Sequence, residues 1–244
     1  MSKMTVQEML EELKNYDTPT VTNVVATYPT NPLCLGLYNP WSQNWYTDTS
    51  IRCMYPELGR LVGYAVTCVY GLPDPNYNRL SWMDVLEALD ASPKPTILVL
   101  EQRFPPEIAK KVGLSGGNMT SQMKVVGCLG CISNGPSRDI DEIRPMKFQY
   151  MLSGITPGHG AQAVHAVNVP VSVAGMDVVP GEIIHMDENG AVKFPADKLE
   201  QVVTNLRAFK EDEDARIAKM LKATSLAEMK AILGGKAYEG EKKK

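Results

Sequence analysis

Three short apolar runs, separated by stretches with helical patterning, constrain the fold of this chain most strongly. The runs cover residues 61–70, 96–100 and 129–133, and their length and composition are typical of buried strands. A helix that begins at the capping Ser81 lies between the first two runs, and a helical stretch after Gly116 lies between the last two. This alternation of strand and helix predicts an α/β fold.

The flanking regions carry their own helix signals. Val6, Met9, Leu10 and Leu13 recur at helical spacing, which predicts an amphipathic helix that docks by one stripe. A second helix is expected to start at Asp17-Thr18-Pro19, with Val21, Val24 and Val25 facing inward. Residues 196–233 are again helical in pattern.

Two further segments complete the organisation. Residues 28–56 are rich in Pro, Asn and aromatic residues, without a sustained period. They predict a long loop that forms either a lid, a subunit contact or a cover for the core. After Met146, closely spaced turn residues predict a small antiparallel layer. Because there is no internal repeat or low-complexity linker, we expect residues 1–244 to form a single domain.

Composition excludes several classes of protein. With 44% apolar and 22% charged residues, the chain has the balance of a globular protein. The 25 Lys and Arg against 28 Asp and Glu give a net charge of −3, which argues against a nucleic-acid-binding surface. No apolar run approaches the roughly 18 residues of a membrane span, and no signal-peptide core is present, so a cytoplasmic protein without membrane association is expected.

The five cysteines show no disulfide framework. Cys128 and Cys131 form a Cys-x-x-Cys pair that could be half of a zinc site or a redox dithiol. We favour packing, because no second pair exists and residues three apart in a strand point to opposite faces.

The strongest chemical signal is Arg138-Asp139, which follows a strand and a Gly-Pro loop. Together with the glycine-rich Gly116-Gly117-Asn118-Met119, it offers backbone amides, a guanidinium and a carboxylate. Such a set suits a small oxyacid and a divalent metal. The alternative is a surface arginine beside an aspartate that caps a short helix.

The order of the motifs resembles the regulator of ribonuclease activity A (RraA) family, which also contains metal-dependent 4-hydroxy-4-methyl-2-oxoglutarate aldolases. The resemblance runs from about Tyr16 to Pro195. The motifs are DTPTVTN at 17–23, LVGYAVT at 61–67, GCLGCI at 127–132, RDIDE at 138–142, VPVSVAG at 169–175, VPGEIIHMD at 179–187 and GAVKFP at 190–195.

This resemblance implies a layered α/β/β/α sandwich related to the swivelling phosphohistidine domains, assembled as homotrimers or homohexamers with sites between subunits. It also implies cleavage or decarboxylation of a small 2-oxo acid through a pyruvate enolate, with Mg²⁺ or Mn²⁺. The amides of Gly116, Gly117, Asn118 and Met119 would bind the substrate carboxylate. Arg138 would stabilise the enolate oxygen, and Asp139 would hold the metal.

The chain departs from the aldolases at Gly117, where active members of the family carry an acid. Glu101, expected at the end of the second strand, is the candidate substitute, and a surface or ion-paired residue is the alternative. His159 lies between glycines and is a candidate pocket residue, although a loop histidine satisfied by backbone is the alternative. The resemblance also implies that a carboxylate from the C-terminal helix reaches a neighbouring site, and Glu211 and Glu213 both fit.

Two functions therefore remain open from the sequence. The first is a metal-dependent lyase, whose weakness is Gly117; a different reaction on the same metal and oxyacid site is a variant of it. The second is a non-catalytic interaction protein, as in the ribonuclease regulators of the family. If the acid is absent, oxalate should bind with Mg²⁺ while cleavage is slow, and Gly117→Asp should raise cleavage.

Overall fold

The computed structural model describes residues 4–26, 31–39, 41–77 and 79–234. The strands are β1 (Arg52–Cys53), β2 (Leu61–Gly71), β3 (Thr96–Arg103), β4 (Cys128–Ser133), β5 (Gln149–Leu152), β6 (Ala163–Val167), β7 (Val171–Val173), β8 (Met176–Val178), β9 (Ile183–Asp187) and β10 (Gly190–Phe194). The helices are α1 (Val6–Leu13), α2 (Thr18–Val25), α3 (Trp82–Ala91), α4 (Pro106–Ala109), α5 (Gly117–Val125), α6 (Ile140–Ile143), α7 (Leu199–Met220) and α8 (Leu226–Leu233).

One mixed sheet organises these elements, in the order β1-β5-β4-β3-β2-β9-β10. The pairs β2–β3, β3–β4 and β4–β5 are parallel, as the alternation of strands and helices predicts. The expected separate antiparallel layer is only partly observed, because β7 and β8 form a hairpin while β9 joins the main sheet. The reason is the length of β2: one of its edges pairs with β9 over residues 61–64 and with β6 over residues 68–71.

The two faces of the sheet bury different cores. One face, with Leu61, Ile97 and Val99, packs against the β7–β8 hairpin. The other face is covered by helices, with α3 and α5 over one part and α1, α2 and α7 over another. The chain thus has a mixed α/β fold with a nearly closed, barrel-like sheet. The finer likeness to the swivelling phosphohistidine domain stays a prediction, as does the single domain.

The predicted N-terminal helices are confirmed. The Thr5 side chain and Glu8 form a reciprocal capping box at α1, and Asp17 accepts a 2.8 Å hydrogen bond from the Thr20 amide at the start of α2. The expected inward residues are buried except Val6, the first residue of α1, which is 50% exposed. Among the residues with described structure, no helix is long and apolar enough to cross a membrane.

The described part of the aromatic segment covers the core, one of the roles open from the sequence; residues 28–30 and 40 lie outside the described residues. Trp45 is buried and its ring stacks on Tyr38 with 5.1 Å between centroids. The Tyr38 hydroxyl donates to the Lys193 carbonyl at 3.0 Å, which ties the segment to β10. Trp41, in contrast, is 91% exposed.

Cys128 and Cys131 both pack in the helix-covered core. The expectation that they point to opposite faces is wrong, because the β3–β4 register shifts between Thr96 and Ile97 and a bulge absorbs one residue of β4. Burial raises the pKa of the Cys128 thiol to about 11 and raises that of Cys131 as well. Buried, protonated thiols agree with the packing interpretation.

The buried His185 connects the N-terminal helices to β9. Its Nδ1 atom lies 2.9 Å from Thr18 Oγ1 and its Nε2 atom 3.2 Å from the Leu13 carbonyl oxygen. Burial lowers the pKa of His185 from 6.5 to about 4, although the Leu13 carbonyl and Asp187 oppose that shift. The imidazole is therefore neutral in the folded protein at neutral pH.

This histidine predicts a loss of stability in mild acid. Between about pH 6.5 and pH 4, His185 is protonated in the unfolded chain but stays neutral in the folded chain. The free energy of unfolding therefore falls as pH falls. We expect the free energy of unfolding to drop by about 2 kcal/mol between pH 6.5 and 5, since each pKa unit corresponds to about 1.4 kcal/mol. Urea unfolding at the two pH values measures it. His185→Gln should flatten the dependence, whereas the exposed His159→Gln should keep the slope.

Candidate functional site

The glycine-rich segment forms the N-terminus of α5, with Gly116 as the capping residue. The Gly116 carbonyl accepts from the amide of Thr120 at 2.9 Å and from its hydroxyl at 2.8 Å. On the other side of the same peptide bond, the Gly117 amide donates to Asp139 Oδ2 at 3.0 Å. The next two amides, of Asn118 and Met119, belong to the first turn and have no acceptor within the helix. This geometry is typical of an anion-binding helix end.

Arg138 and Asp139 lie directly against this helix end, as the sequence predicts. Arg138 Nε is 3.3 Å from Asp139 Oδ2, and the two side chains are 34% and 27% exposed. A β-carbon on Gly116 would lie 2.1 Å from Asp139 Oδ2 and 3.0 Å from Arg138 Nε, so a side chain there would displace the Asp139 carboxylate. The structure thus brings the amides, the guanidinium and a carboxylate into one partly open cluster.

The backbone of Asp139 is in the left-handed region, with φ 60° and ψ 39°. This conformation costs a residue with a side chain about 1–2 kcal/mol and is observed mainly for Gly, Asn and Asp. Asp139 precedes α6 but its side chain makes no capping hydrogen bond to that helix. The carboxylate turns instead to the Gly117 amide, so the capping alternative does not account for it.

Glu142 is the residue that sequence reasoning missed. A β-carbon built on Gly117 would lie 2.1 Å from Glu142 Oε2 and 3.2 Å from its Cδ atom. The Glu142 carboxylate therefore occupies the space that a side chain at position 117 would enter. No spacing in the sequence signals this approach, because it brings the first residue of α5 against a side chain of α6.

Glu101 does not reach this cluster. Strand β3 extends to Arg103 rather than ending at Glu101, and its odd-numbered residues Ile97 and Val99 face the β7–β8 side. Glu101 follows the same alternation and accepts a 3.2 Å hydrogen bond from the Ser172 amide of β7. Arg103 donates to both of its oxygens, at 2.7 and 3.1 Å. Its contacts tie β3 to the hairpin on the face opposite α5.

The remaining predicted residues are separate from the cluster. His159 is exposed, and its Nδ1 atom lies 2.8 Å from the Gly160 carbonyl oxygen. Its loop meets the segment before α5 through a 2.9 Å hydrogen bond from the Gly113 amide to the Gly158 carbonyl. Glu211 and Glu213 lie on the second half of α7, beyond Phe209, the last buried residue of that helix.

The oxygen donors fit a hard divalent cation. Asp139 and Glu142 provide two carboxylates that flank one helix end, and both side chains reach solvent. Mg²⁺ is usually held by one or two carboxylates with water in its other positions. Within residues 4–234, leaving aside the undescribed positions, no three His, Cys, Asp or Glu side chains gather as a complete metal cage. An open site is therefore the form that these residues could supply.

Comparisons with known proteins agree on the family. The RraA-like model, described as Aldolase/RraA, matches residues 37–193. A 4-hydroxy-4-methyl-2-oxoglutarate aldolase of Thermus thermophilus is 30% identical over 86 residues, which are 35% of this chain and 52% of that protein. An uncharacterised protein of Methanocaldococcus jannaschii, MJ0644, is 29% identical over 115 residues, 47% of this chain and 55% of its own length.

The fold has close structural neighbours as well. Streptomyces coelicolor RraAS2, an unusual member of the RNase ES inhibitor RraA protein family, superimposes with a TM-score of 0.66 at 19% identity, covering 90% of this chain and 100% of that one. Similarity at this identity concerns the fold. The chain matches only about half the length of curated relatives such as MJ0644 and the Thermus aldolase. Since the family model covers well over half of the sequence, the chain belongs to the RraA-like family, Aldolase/RraA.

Proposed function

We propose that this protein is a divalent-metal-dependent carbon–carbon lyase acting on a small 2-oxo acid. The observation that carries the proposal is the pair of carboxylates, Asp139 and Glu142, beside the amides of an α5 N-terminus that also meets Arg138. The name of the Thermus relative, an aldolase for 4-hydroxy-4-methyl-2-oxoglutarate, supports the same class of chemistry.

Each group of the site has a chemical role in the proposed reaction. The amides of Asn118 and Met119, in the first turn of α5, have no acceptor within the helix and suit the substrate carboxylate. Arg138 provides a permanent positive charge for the oxygen that gains negative charge when the carbon–carbon bond breaks. Mg²⁺ or Mn²⁺, held by Asp139 and Glu142, would polarise the 2-oxo group.

Glu142 takes the part that the sequence alone assigned to Glu101. Its carboxylate lies at the position of the absent side chain of Gly117, and the residue is exposed. In this place it would help to hold the metal, and its carboxyl group is the candidate to pass a proton to the product. A homotrimer or homohexamer with sites between subunits, into which Glu211 or Glu213 extends, belongs to the same proposal.

A non-catalytic interaction protein is the second candidate. Leu221 and Leu226, at the turn between α7 and α8, are 82% and 69% exposed. Apolar side chains at this level of exposure suit a protein contact. Such a contact is also compatible with assembly of the enzyme, so it does not by itself favour a regulator.

Pyruvate release from a panel of 2-oxo acids, with and without Mg²⁺ or Mn²⁺, tests the proposal. Calorimetry with oxalate, whose planar pair of carboxylates resembles an enolate, should show binding that requires the metal. We expect EDTA to remove both turnover and oxalate binding. If the untreated protein shows no activity and no metal-dependent oxalate binding, the non-catalytic interaction protein is favoured instead.

A further inference from the structure

A chain of buried hydroxyl groups lies under the glycine-rich helix end. Tyr150 in β5 is 1% exposed, and its hydroxyl oxygen lies 2.8 Å from Ser115 Oγ and 2.9 Å from Thr120 Oγ1. Ser115 immediately precedes the capping Gly116, and Thr120 ends the first turn of α5. One phenol therefore bridges the residue before the capping glycine and the end of the first turn of α5.

The direction of each hydrogen bond in this chain follows from the number of hydrogens. Thr120 donates its single hydroxyl hydrogen to the Gly116 carbonyl at 2.8 Å, so it must accept from Tyr150. Tyr150 then has no hydrogen left for Ser115 and accepts from that hydroxyl. Burial raises the pKa of Tyr150 well above its usual range, which keeps the phenol protonated and able to donate.

The consequence for the backbone is specific. The hydroxyl of Ser137 holds the Ser115 carbonyl, and Thr120 holds the Gly116 carbonyl, both on the protein side of the segment. Because the N–H of a peptide unit points opposite to its C=O, fixing these carbonyls directs the Gly116 and Gly117 amides away from the core. The Gly117 amide accordingly meets Asp139.

From this arrangement we infer that Tyr150 is a positioning residue, whose hydroxyl, through Thr120 and the Gly116 carbonyl, holds the first turn of α5 and with it the Asn118 and Met119 amides that receive the substrate carboxylate. The inference rests on the proposed function, because it assigns the carboxylate-binding amides to the 2-oxo acid. It adds a residue from the opposite side of the core, 34 residues from Gly116 in sequence, that touches neither the substrate nor the metal. Preorganised donors of this kind bind a carboxylate without a further ordering cost.

Tyr150→Phe removes one hydroxyl and leaves the ring. Since the amides hold the carboxylate equally before and during bond cleavage, KM should rise while kcat stays nearly constant. We expect KM for oxaloacetate and the Kd of oxalate with Mg²⁺ to rise about tenfold, the effect of losing roughly one hydrogen bond, with kcat within about twofold. The affinity for Mn²⁺ alone should not change.

Tyr70→Phe is the matched control, because Tyr70 is a buried tyrosine of the same core that hydrogen-bonds to none of residues 115–120. Thr120→Val should reproduce the effect of Tyr150→Phe, and Thr120→Ser, which keeps the hydroxyl, should restore wild-type KM. If Tyr150→Phe fails to fold, the comparison of Thr120→Val with Thr120→Ser still tests the role of the hydroxyl chain. An equal rise of KM in Tyr70→Phe would overturn the inference.

Hydrogen exchange separates this inference from the proposed function, because it needs no ligand. The Gly117 and Thr120 amides, bonded to Asp139 and Gly116, should exchange about tenfold faster in Tyr150→Phe but not in Tyr70→Phe. If the wild-type protein binds no oxalate, the proposed function fails, and the positioning role of Tyr150 is then tested by amide hydrogen exchange alone. Unchanged exchange overturns that role, and so does unchanged oxalate affinity in a variant whose amides exchange faster.

Discussion

Replacing Asp139 with asparagine is expected to abolish metal-dependent turnover. Asparagine tolerates the left-handed backbone and still offers an oxygen to the Gly117 amide, so the exchange removes a charge and little else. Mutation of a residue that only hydrogen-bonds to a metal ligand can lower metal affinity by roughly 100-fold. Loss of Asp139, a direct ligand, should lower the affinity by at least as much. Calorimetric titration with Mn²⁺ and initial rates at several Mg²⁺ concentrations measure the loss.

Asp141→Asn provides a control of equal charge on the same short helix. Asp141 is exposed and lies between Asp139 and Glu142 in the sequence. Because the two variants change net charge equally, long-range electrostatics should affect both alike. Wild-type metal dependence in Asp139→Asn, or an equal loss in Asp141→Asn, would remove Asp139 as the metal anchor.

The local parts of this site could be predicted from the sequence, because they lie close together in the chain. Arg138 and Asp139 are neighbours, and the glycines that open α5 are marked by their own composition. Their meeting follows from the parallel pairing of β3 and β4, which puts the ends of both strands at one edge of the sheet. The helix start at Asp17 follows from the sequence in the same way, since capping depends on a few adjacent residues.

The identity of the second carboxylate could not be read in the same way. The apolar run at 96–100 predicts that Glu101 follows a strand, but the face on which Glu101 lies depends on its alternation with Ile97 and Val99. The alternation determines the face on which Glu101 lies only because β3 continues to Arg103 and Glu101 is inside the strand. Glu142, in contrast, lies on α6 and approaches Gly117 on α5 only in the folded protein. No spacing between residues in the sequence predicts that approach.

The structure also changes what Gly117→Asp should do. From the sequence, an acid at this position is expected to raise cleavage. In the structure its β-carbon would lie 2.1 Å from Glu142 Oε2, so the new side chain must displace the carboxylate already present. Two carboxylates that share one site also repel each other. We therefore expect no gain from Gly117→Asp in the wild-type background.

The larger effect is expected when the two positions are exchanged. Glu142→Ala should lower kcat by about 100-fold or more, the usual range for loss of a group that moves a proton. Adding Gly117→Asp to Glu142→Ala should recover at least about tenfold of that loss, since the new carboxylate then enters an empty space. The backbone permits this change, because Gly117 is the first residue of α5 and its φ lies outside the left-handed region.

Gly117→Ala combined with Glu142→Ala fills part of the same space without a charge and is the matched control. It should remain as slow as Glu142→Ala, because volume alone neither holds a metal nor moves a proton. Steady-state rates of pyruvate release at saturating Mg²⁺ compare the variants directly. Recovery by alanine as well as aspartate, or full activity in Glu142→Ala, would show that the Glu142 carboxylate is not the acid of this site, even if Asp139 and Arg138 keep their roles.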